Sequence, residues 1–171
     1  YKMNRFEKYI SLLLNKLAIK NKLIFYFFRI FTFTGEWWMY ILYAIISILI
    51  DTDKGLDAIK MGLIAYGFQY PIYFLIKNTI KRDRPFEAHQ NIKALVKPPD
   101  KYSLPSGHAS GTMISALITM TIFEGLSFLI FWPIIVGLSR VFLGVHYLSD
   151  SLIGFPKIVF NRILPSTLII L

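Results

Sequence analysis

The chain alternates long apolar runs with short polar breaks, and the length of the runs favours helices over strands. Residues 1–35 are of a different kind. There the basic residues Lys16, Lys20, Lys22 and Arg29 recur between Leu12, Leu13, Leu17, Leu23, Phe27, Phe28 and Phe31, too often for a spanning helix. A basic, aromatic, amphipathic segment of this type is predicted to lie along a membrane interface. That placement is compatible with a helix packed on the protein's own surface. Thr34-Gly35 ends the segment. From Trp37 to Ile50 the chain is almost wholly apolar, though short against the roughly 20 residues of a membrane span. Asp51 to Gly55 reads as a tight polar turn, and a second run covers Leu56 to Ile76, with Pro71 expected to kink it. Residues 77–105 are polar, basic and proline-containing, the one long loop of the chain, and such loops are usually functional or disordered. A third run extends from Ser106 to about Phe123, and a fourth from Leu126 to about Phe142 with Pro133 inside. A fifth starts near His146 and is interrupted by Pro156, Lys157, Arg162 and Pro165. The pattern predicts an all-α integral membrane bundle of about five transmembrane helices. It would form one domain over residues 36–171, preceded by the interfacial segment 1–35.

Composition points the same way. Of 171 residues, 55% are hydrophobic and 17% charged, against about 25% charged in a typical water-soluble domain. Aromatic residues reach 16%, with fifteen Phe and ten Tyr, which suits a lipid-facing surface with interfacial anchors. The formal charge of +9 fits basic loops near anionic headgroups. Nucleic-acid binding is disfavoured because the basic residues are interleaved with long apolar runs. With no cysteine, disulfides, thiolate nucleophiles and Cys-ligated zinc are excluded.

Charges at the ends of apolar helices call for a reason. Lys77 closes the second run, Arg84 follows by seven residues, His108 opens the third run, Arg140 ends the fourth, and His146 and Asp150 open the fifth. Counting spans puts all of these junctions on one membrane face. Lys77, Arg84 and Arg140 together suit a dianionic phosphate, and Arg suits its paired oxygens. Pro105-Ser106-Gly107-His108 places a small turn before a helix, whose amides can hold anionic oxygens. His146 and Asp150, four apart, share a helical face. An Asp holding one imidazole nitrogen leaves the other free for attack at phosphorus, which makes His146 a candidate nucleophile. His108 is then the candidate acid for the leaving oxygen. Each piece has a plainer reading: an Arg that reaches toward headgroups, Ser106 as an ordinary helix cap, a structural His–Asp bond. His108, His146 and Asp150 are also a metal-like set, but the surrounding cations would repel a divalent ion.

Lys77-x6-Arg84-Pro85, Pro105-Ser106-Gly107-His108 and Ser139-Arg140-x5-His146-x3-Asp150 resemble the three-part signature of the type 2 phosphatidic acid phosphatase superfamily. That superfamily also includes vanadium haloperoxidases and bacterial acid phosphatases. The resemblance covers about residues 35–155, and the order and spacings of all three parts match. It implies a haloperoxidase-like helical core. It also implies that Lys77, Arg84 and Arg140 bind phosphate and that Ser106 and Gly107 donate to its oxygens. His108 would be the general acid, His146 the nucleophile of a phosphohistidine intermediate, and Asp150 the residue that orients it. The phosphatase branch requires no metal or other cofactor. Membrane members act on phosphatidic acid, phosphatidylglycerol phosphate, isoprenyl diphosphates or related lipids. A phosphorylated membrane lipid and the bilayer are therefore the expected partners, with no nucleic acid. Where six-helix members have a first span, this chain has the segment 10–33, and so it looks like the smaller five-helix members.

The basic residues of the N-terminal segment and of the loop (Lys81, Arg82, Lys93, Lys97, Lys101) outnumber Lys54 and Lys60 on the opposite side. The positive-inside rule then predicts a multi-pass cell-membrane protein whose site faces the cytoplasm, the alternative being the extracytoplasmic face of many relatives. Competing functions are an isoprenyl diphosphatase, a lipid phosphotransferase and a non-catalytic lipid-binding protein. Retention of both His108 and His146 speaks against the last.

Overall fold

The computed structural model describes residues 5–154, and all regular structure there is helical. Helix α1 (Arg5–Lys20) opens with Glu7 in its first turn and closes on Lys20, charges that complement the helix dipole. Its buried residues Ser11, Asn15 and Ala18 recur at helical spacing and form one inward stripe. Asn21 then breaks the helix. Its side chain accepts a hydrogen bond from the Leu23 amide at 2.9 Å and caps α2 (Lys22–Phe33). Residues 5–33 are therefore two helices, and both pack against α7, with α1 also touching α8.

Helix α3 (Trp37–Ile50) meets α4 (Thr52–Ile80) almost without a loop. Asp51 accepts from the Lys54 amide at 3.1 Å, so residues expected to be a turn are the first turn of α4. Gly55 is required there: a Cβ on it would fall 2.5 Å from the backbone of Ile48. Pro71 lies inside α4 without ending it. A short α5 (Pro85–Ala88) follows, then α6 (Gly107–Ile122), a 3₁₀ turn (Ser127–Ile130), α7 (Phe131–Phe142) and α8 (Leu148–Gly154).

Helix α6 is the centre of the molecule and packs on α4, α7 and α8. Its buried Ala109, Ile114, Ala116 and Leu117 share the core with Val136, Val141, Leu143 and Val145. Small residues let neighbours come close: a Cβ on Gly107 would touch the Tyr73 ring at 3.3 Å. Polar bonds fix the register of α4 on α6. Tyr66 donates to the Gly111 carbonyl at 2.8 Å, and Gln69 donates to Ser110 Oγ at 2.8 Å. Ascending positions on α4 meet descending positions on α6, so the two are antiparallel, and the end of α4 reaches the start of α6.

The expected five-span membrane bundle is not what folds. Among the described residues no single helix is long and apolar enough to cross a bilayer. A span needs about 20 apolar residues. Helix α3 has 14 residues and α6 has 16. Helix α4 is long enough, with 29 residues, but Asp53, Lys54, Asp57, Lys60, Gln69 and Lys77 dilute it. Only α2 and α3 together pass by length and composition, and they are bent by 65° at Thr34–Glu36. The multi-pass placement and the cytoplasmic-facing site rested on those spans and are withdrawn with them. Of the fifth predicted helix, only α8 lies in the described residues; Pro156, Lys157, Arg162 and Pro165 fall outside them.

Candidate active site

Four helix ends converge: the C-terminus of α4, the N-terminus of α6, the C-terminus of α7 and the N-terminus of α8. With the start of α5, which carries Arg84, they bring together all eight residues singled out in the sequence. Lys77 sits in the last turn of α4 and is buried. Arg84 is the N-cap of α5, with Pro85 at the first helical position, where its missing N–H costs nothing. Arg140 lies in the last turn of α7, after which the chain reverses through Leu143-Gly144. Gly144 has φ of +76°, a left-handed conformation that favours glycine. That reversal lets the His146 amide bond the Arg140 carbonyl at 3.2 Å and sets the imidazole beside the arginines.

Lys77 and Arg84 already share an anion. The Asp100 carboxylate accepts from Lys77 Nζ at 2.6 Å, from Arg84 at 2.7 Å and from the Tyr73 hydroxyl at 2.7 Å. Arg84 is anchored further, donating to the Val145 carbonyl at 2.6 Å, and its guanidinium lies 3.3 Å from His146 Nε2. Burial pulls the Lys77 ammonium down to about 8, although Asp100 works against that shift. Arg140 differs. One of its nitrogens donates to Thr32 Oγ1 at 2.6 Å, while Nε and the other terminal nitrogen are buried with no hydrogen-bond partner.

The turn before α6 behaves partly as expected. Ser106 caps the helix, its hydroxyl accepting from the Ala109 amide at 3.4 Å. Its own amide is committed to the Asp150 carbonyl at 3.0 Å, so that N–H is not available to an anion. The Gly107 and His108 amides remain the first-turn N–H groups that a helix start leaves without intrahelical acceptors.

Asp150 is fully buried and heavily bonded. One oxygen accepts from the Tyr147 amide at 2.7 Å and from the Ser103 hydroxyl; the other accepts from Arg82 at 2.6 Å. His146 Nδ1 stands 3.6 Å from Asp150, close enough for attraction but beyond a hydrogen bond. Burial raises the Asp150 carboxyl, but the contacts with His146, Arg82 and Ser103 outweigh it and hold it below the usual range. His108 faces a carboxylate of its own, Glu36 at 3.4 Å. His108, His146 and Asp150 form no three-ligand metal cluster.

Several site residues had no signal in the sequence: Glu7, Thr32, Glu36, Arg82, Asp100 and Ser103. Arg82 counted only as one more basic residue of the loop. Asp100 and Ser103 lie in the segment before Pro105-Ser106-Gly107-His108, and that proximity was the one available hint. Asn15 of α1 holds the loop in place, bonding both the amide and the carbonyl of Lys93.

Burial brings the imidazoles down from 6.5, His146 to about 3 and His108 to about 4. Both are thus neutral in the folded chain over most of the acid range. Below pH about 6.5 the unfolded chain binds protons that the folded chain refuses, so stability is full above that value and falls as pH drops toward about 4. The Asp150 contribution has the opposite dependence on charge and is lost only at lower pH, as the carboxylate itself takes up a proton. Denaturation midpoints at about pH 7.5 and about pH 5 will differ, the lower pH being less stable, and His108→Gln will reduce the difference. Equal midpoints would show that neither imidazole is buried as a neutral ring.

Residues 58–156, more than half of the chain, match the sequence profile of the PAP2 superfamily. Decaprenylphosphoryl-5-phosphoribose phosphatase of Mycobacterium tuberculosis is 39% identical over 85 residues, covering 50% of this chain and 46% of the relative. Its counterpart in Mycolicibacterium smegmatis is 37% identical over 81 residues, covering 47% and 43%. The chain thus spans less than half the length of these relatives. Two crystal structures share its fold at 20% identity. They are Aquifex aeolicus LpxE, with a TM-score of 0.69 over 84% of each chain, and a transmembrane PAP2-type phosphatidylglycerolphosphate phosphatase of Bacillus subtilis. The second has a TM-score of 0.71 over 98% of this chain and 89% of that one. The matched stretch contains Lys77, Arg84, Ser106, Gly107, His108, Arg140, His146 and Asp150, the residues that the converging helix ends bring together, and the chain belongs to the PAP2 superfamily.

Proposed function

We propose that the chain is a phosphatase acting on a phosphorylated membrane lipid through a phosphohistidine at His146. The observation that carries this reading is the position of His146 Nε2, 3.3 Å from the buried Arg84 guanidinium and backed by Asp150 on the other nitrogen. A phosphate entering this site replaces the Asp100 carboxylate on Lys77 and Arg84 and meets the unpartnered nitrogens of Arg140. Its phosphorus is then presented to a neutral imidazole. Nε2 attacks, the phosphorus–oxygen bond of the ester breaks, and His108 gives its proton to the leaving alkoxide. Water then cleaves the phosphorus–nitrogen bond, losing a proton to His108, and inorganic phosphate leaves. His108 at about 4 is a poor acid donor at rest because it is unprotonated. A phosphate dianion beside it, added to Glu36, raises its proton affinity when substrate is bound.

The lipid part rests on family membership and on the outer surface. Leu23, Ile30, Trp37, Leu49, Leu63 and Phe68 are large, apolar and exposed on α2, α3 and α4. The segment 1–35 would then carry the site to an interface. The curated relatives favour a finer reading, in which the phosphate is a terminal monoester on a polyprenyl-linked sugar.

Phosphate release from detergent micelles tests both. The panel is phosphatidic acid, phosphatidylglycerol phosphate, undecaprenyl diphosphate and a polyprenyl-linked ribose 5-phosphate, each with and without a chelator. We expect release from at least one lipid, unaffected by the chelator, with the polyprenyl-linked sugar phosphate fastest. Release from water-soluble phosphate esters alone would remove the lipid assignment.

A further inference from the structure

Arg82 is the buried cation that the phosphate chemistry does not use. It is 7% exposed and reaches into a cluster of carboxylates and hydroxyls. One terminal nitrogen donates to Asp150 Oδ1 at 2.6 Å and to Ser149 Oγ at 2.7 Å. The other donates to Glu7 Oε2 at 2.8 Å, on α1, 75 residues away in sequence. The guanidinium plane lies 4.1 Å from the centre of the Tyr147 ring. Glu7 closes the circuit, its second oxygen accepting from the Ser149 amide at 3.2 Å, in the first turn of α8.

We propose that Arg82, held from behind by Glu7, is a positioning residue for the Asp150–His146 pair, so that helix α1 takes part in setting the nucleophile. The proposal rests on the phosphohistidine reading above. Its physical basis is the division of labour at Asp150. Oδ2 is occupied by the Tyr147 amide and the Ser103 hydroxyl, and His146 waits 3.6 Å away with its Nδ1 unpartnered. The carboxylate can serve the imidazole only while it stays ionised and does not rotate. Arg82 supplies both conditions: a positive charge at Oδ1, and a planar fork whose two arms are fixed at opposite ends. Lysine could supply the charge but not the fork.

The charged and titratable groups around Asp150 are few. Among the described residues they are Arg82, Lys77 on α4, and His146 and Tyr147 in the turn before α8, with Glu7 of α1 and Asp83 next to Tyr147 and Arg84 next to His146. Of these, Arg82 makes the only direct charged hydrogen bond to the carboxylate among the described residues, and Glu7 makes the ion pair that draws on Arg82's charge.

Opposite signs follow for two substitutions. Asp150 must be ionised for turnover, so its protonation shapes the acid limb of the kcat–pH profile. Arg82→Met removes the cation and moves that limb up by about 1–3 pH units. Glu7→Gln removes the competing carboxylate charge from Arg82 and moves the limb down, by less. Arg82→Lys keeps the limb near its original place while kcat falls. The substrate's own ionisation adds to the acid limb in all four proteins, and the substrate-free titration below separates it from that of Asp150. Loss of packing alone would move both limbs in one direction or neither, and either result overturns the proposal. Should Arg82→Met not fold, Glu7→Gln and Arg82→Lys carry the same comparison. ¹⁵N-histidine NMR of the unliganded protein gives a reading without turnover. The His146 resonance, identified by its absence in His146→Ala, reports the pH at which Nδ1–H loses its acceptor. That pH follows the same order in the variants. If it does so while no lipid is hydrolysed, the phosphatase reading fails and the positioning role stands. If turnover is present and the order is not seen, the positioning role fails alone.

Discussion

His146→Ala is expected to abolish phosphate release, with a loss of about 10⁴-fold or more in kcat, because the proposed covalent intermediate forms on its imidazole. Lys77, Arg84 and Arg140 are untouched by the change, so the substrate is expected to be captured and not turned over. The decisive measurement is chemical. Wild-type protein mixed with ³²P-labelled substrate and quenched in alkali, where phosphohistidine survives, will carry label, and His146→Ala will carry none. A His108→Ala chain separates the two imidazoles. It still labels when the leaving group is a good one such as nitrophenolate, which needs no proton. Label on His146→Ala would sink the nucleophile assignment. Label on neither protein, with phosphate still released, would point to direct attack by water.

Arg140→Met should have effects of opposite sign on stability and on activity. Arg140 is 1% exposed, and two of its nitrogens have no hydrogen-bond partner. Burial, and then the neighbouring Arg84, brings its guanidinium down to about 10, which records how unwelcome the charge is there. A buried charge without full compensation is costly, and replacing it with an apolar side chain of similar volume is often neutral or stabilising. We expect a gain of about 1 kcal/mol, a rise in Tm of about 2–4 °C for a chain of this size. Besides the bond to Thr32, the lost donor hydrogens are ones aimed at no protein acceptor, hence available to the phosphoryl oxygens as charge builds on them. Removing such a donor typically lowers kcat by about 10²–10³-fold. Calorimetry and initial rates on the same preparation test both halves. A destabilised but active Arg140→Met protein would mean that Arg140 is a structural residue and not part of the anion site.

The phosphate chemistry was legible because it is written in short spacings. Lys77-x6-Arg84, Ser106 to His108, and Arg140-x5-His146-x3-Asp150 each lie within helix ends and the short turn next to them, where backbone geometry dictates what neighbours what. Helix limits read from apolar runs also came close: Gly107–Ile122 was anticipated as 106–123. The membrane spans were misread because composition does not separate an apolar helix that spans from one that is short, bent or diluted. The break at Thr34–Glu36 and the charges at the start of α4 decide that, together with the length of each unbroken piece.

What the sequence by itself determined is the set of groups that could handle phosphate and the helices that carry them, since both follow from residue type and local periodicity. Only the tertiary structure decided which carboxylates and hydroxyls those groups face. Glu7 reaches Ser149 across 142 residues, Thr32 reaches Arg140 across 108, and Arg82 reaches Asp150 across 68. No local pattern encodes such pairs, because a side chain's partner across helices is chosen by how the helices stack and by the need of every buried charge for an opposite one. Asp100 on Lys77 and Arg84 and Glu36 beside His108 are settled in the same way.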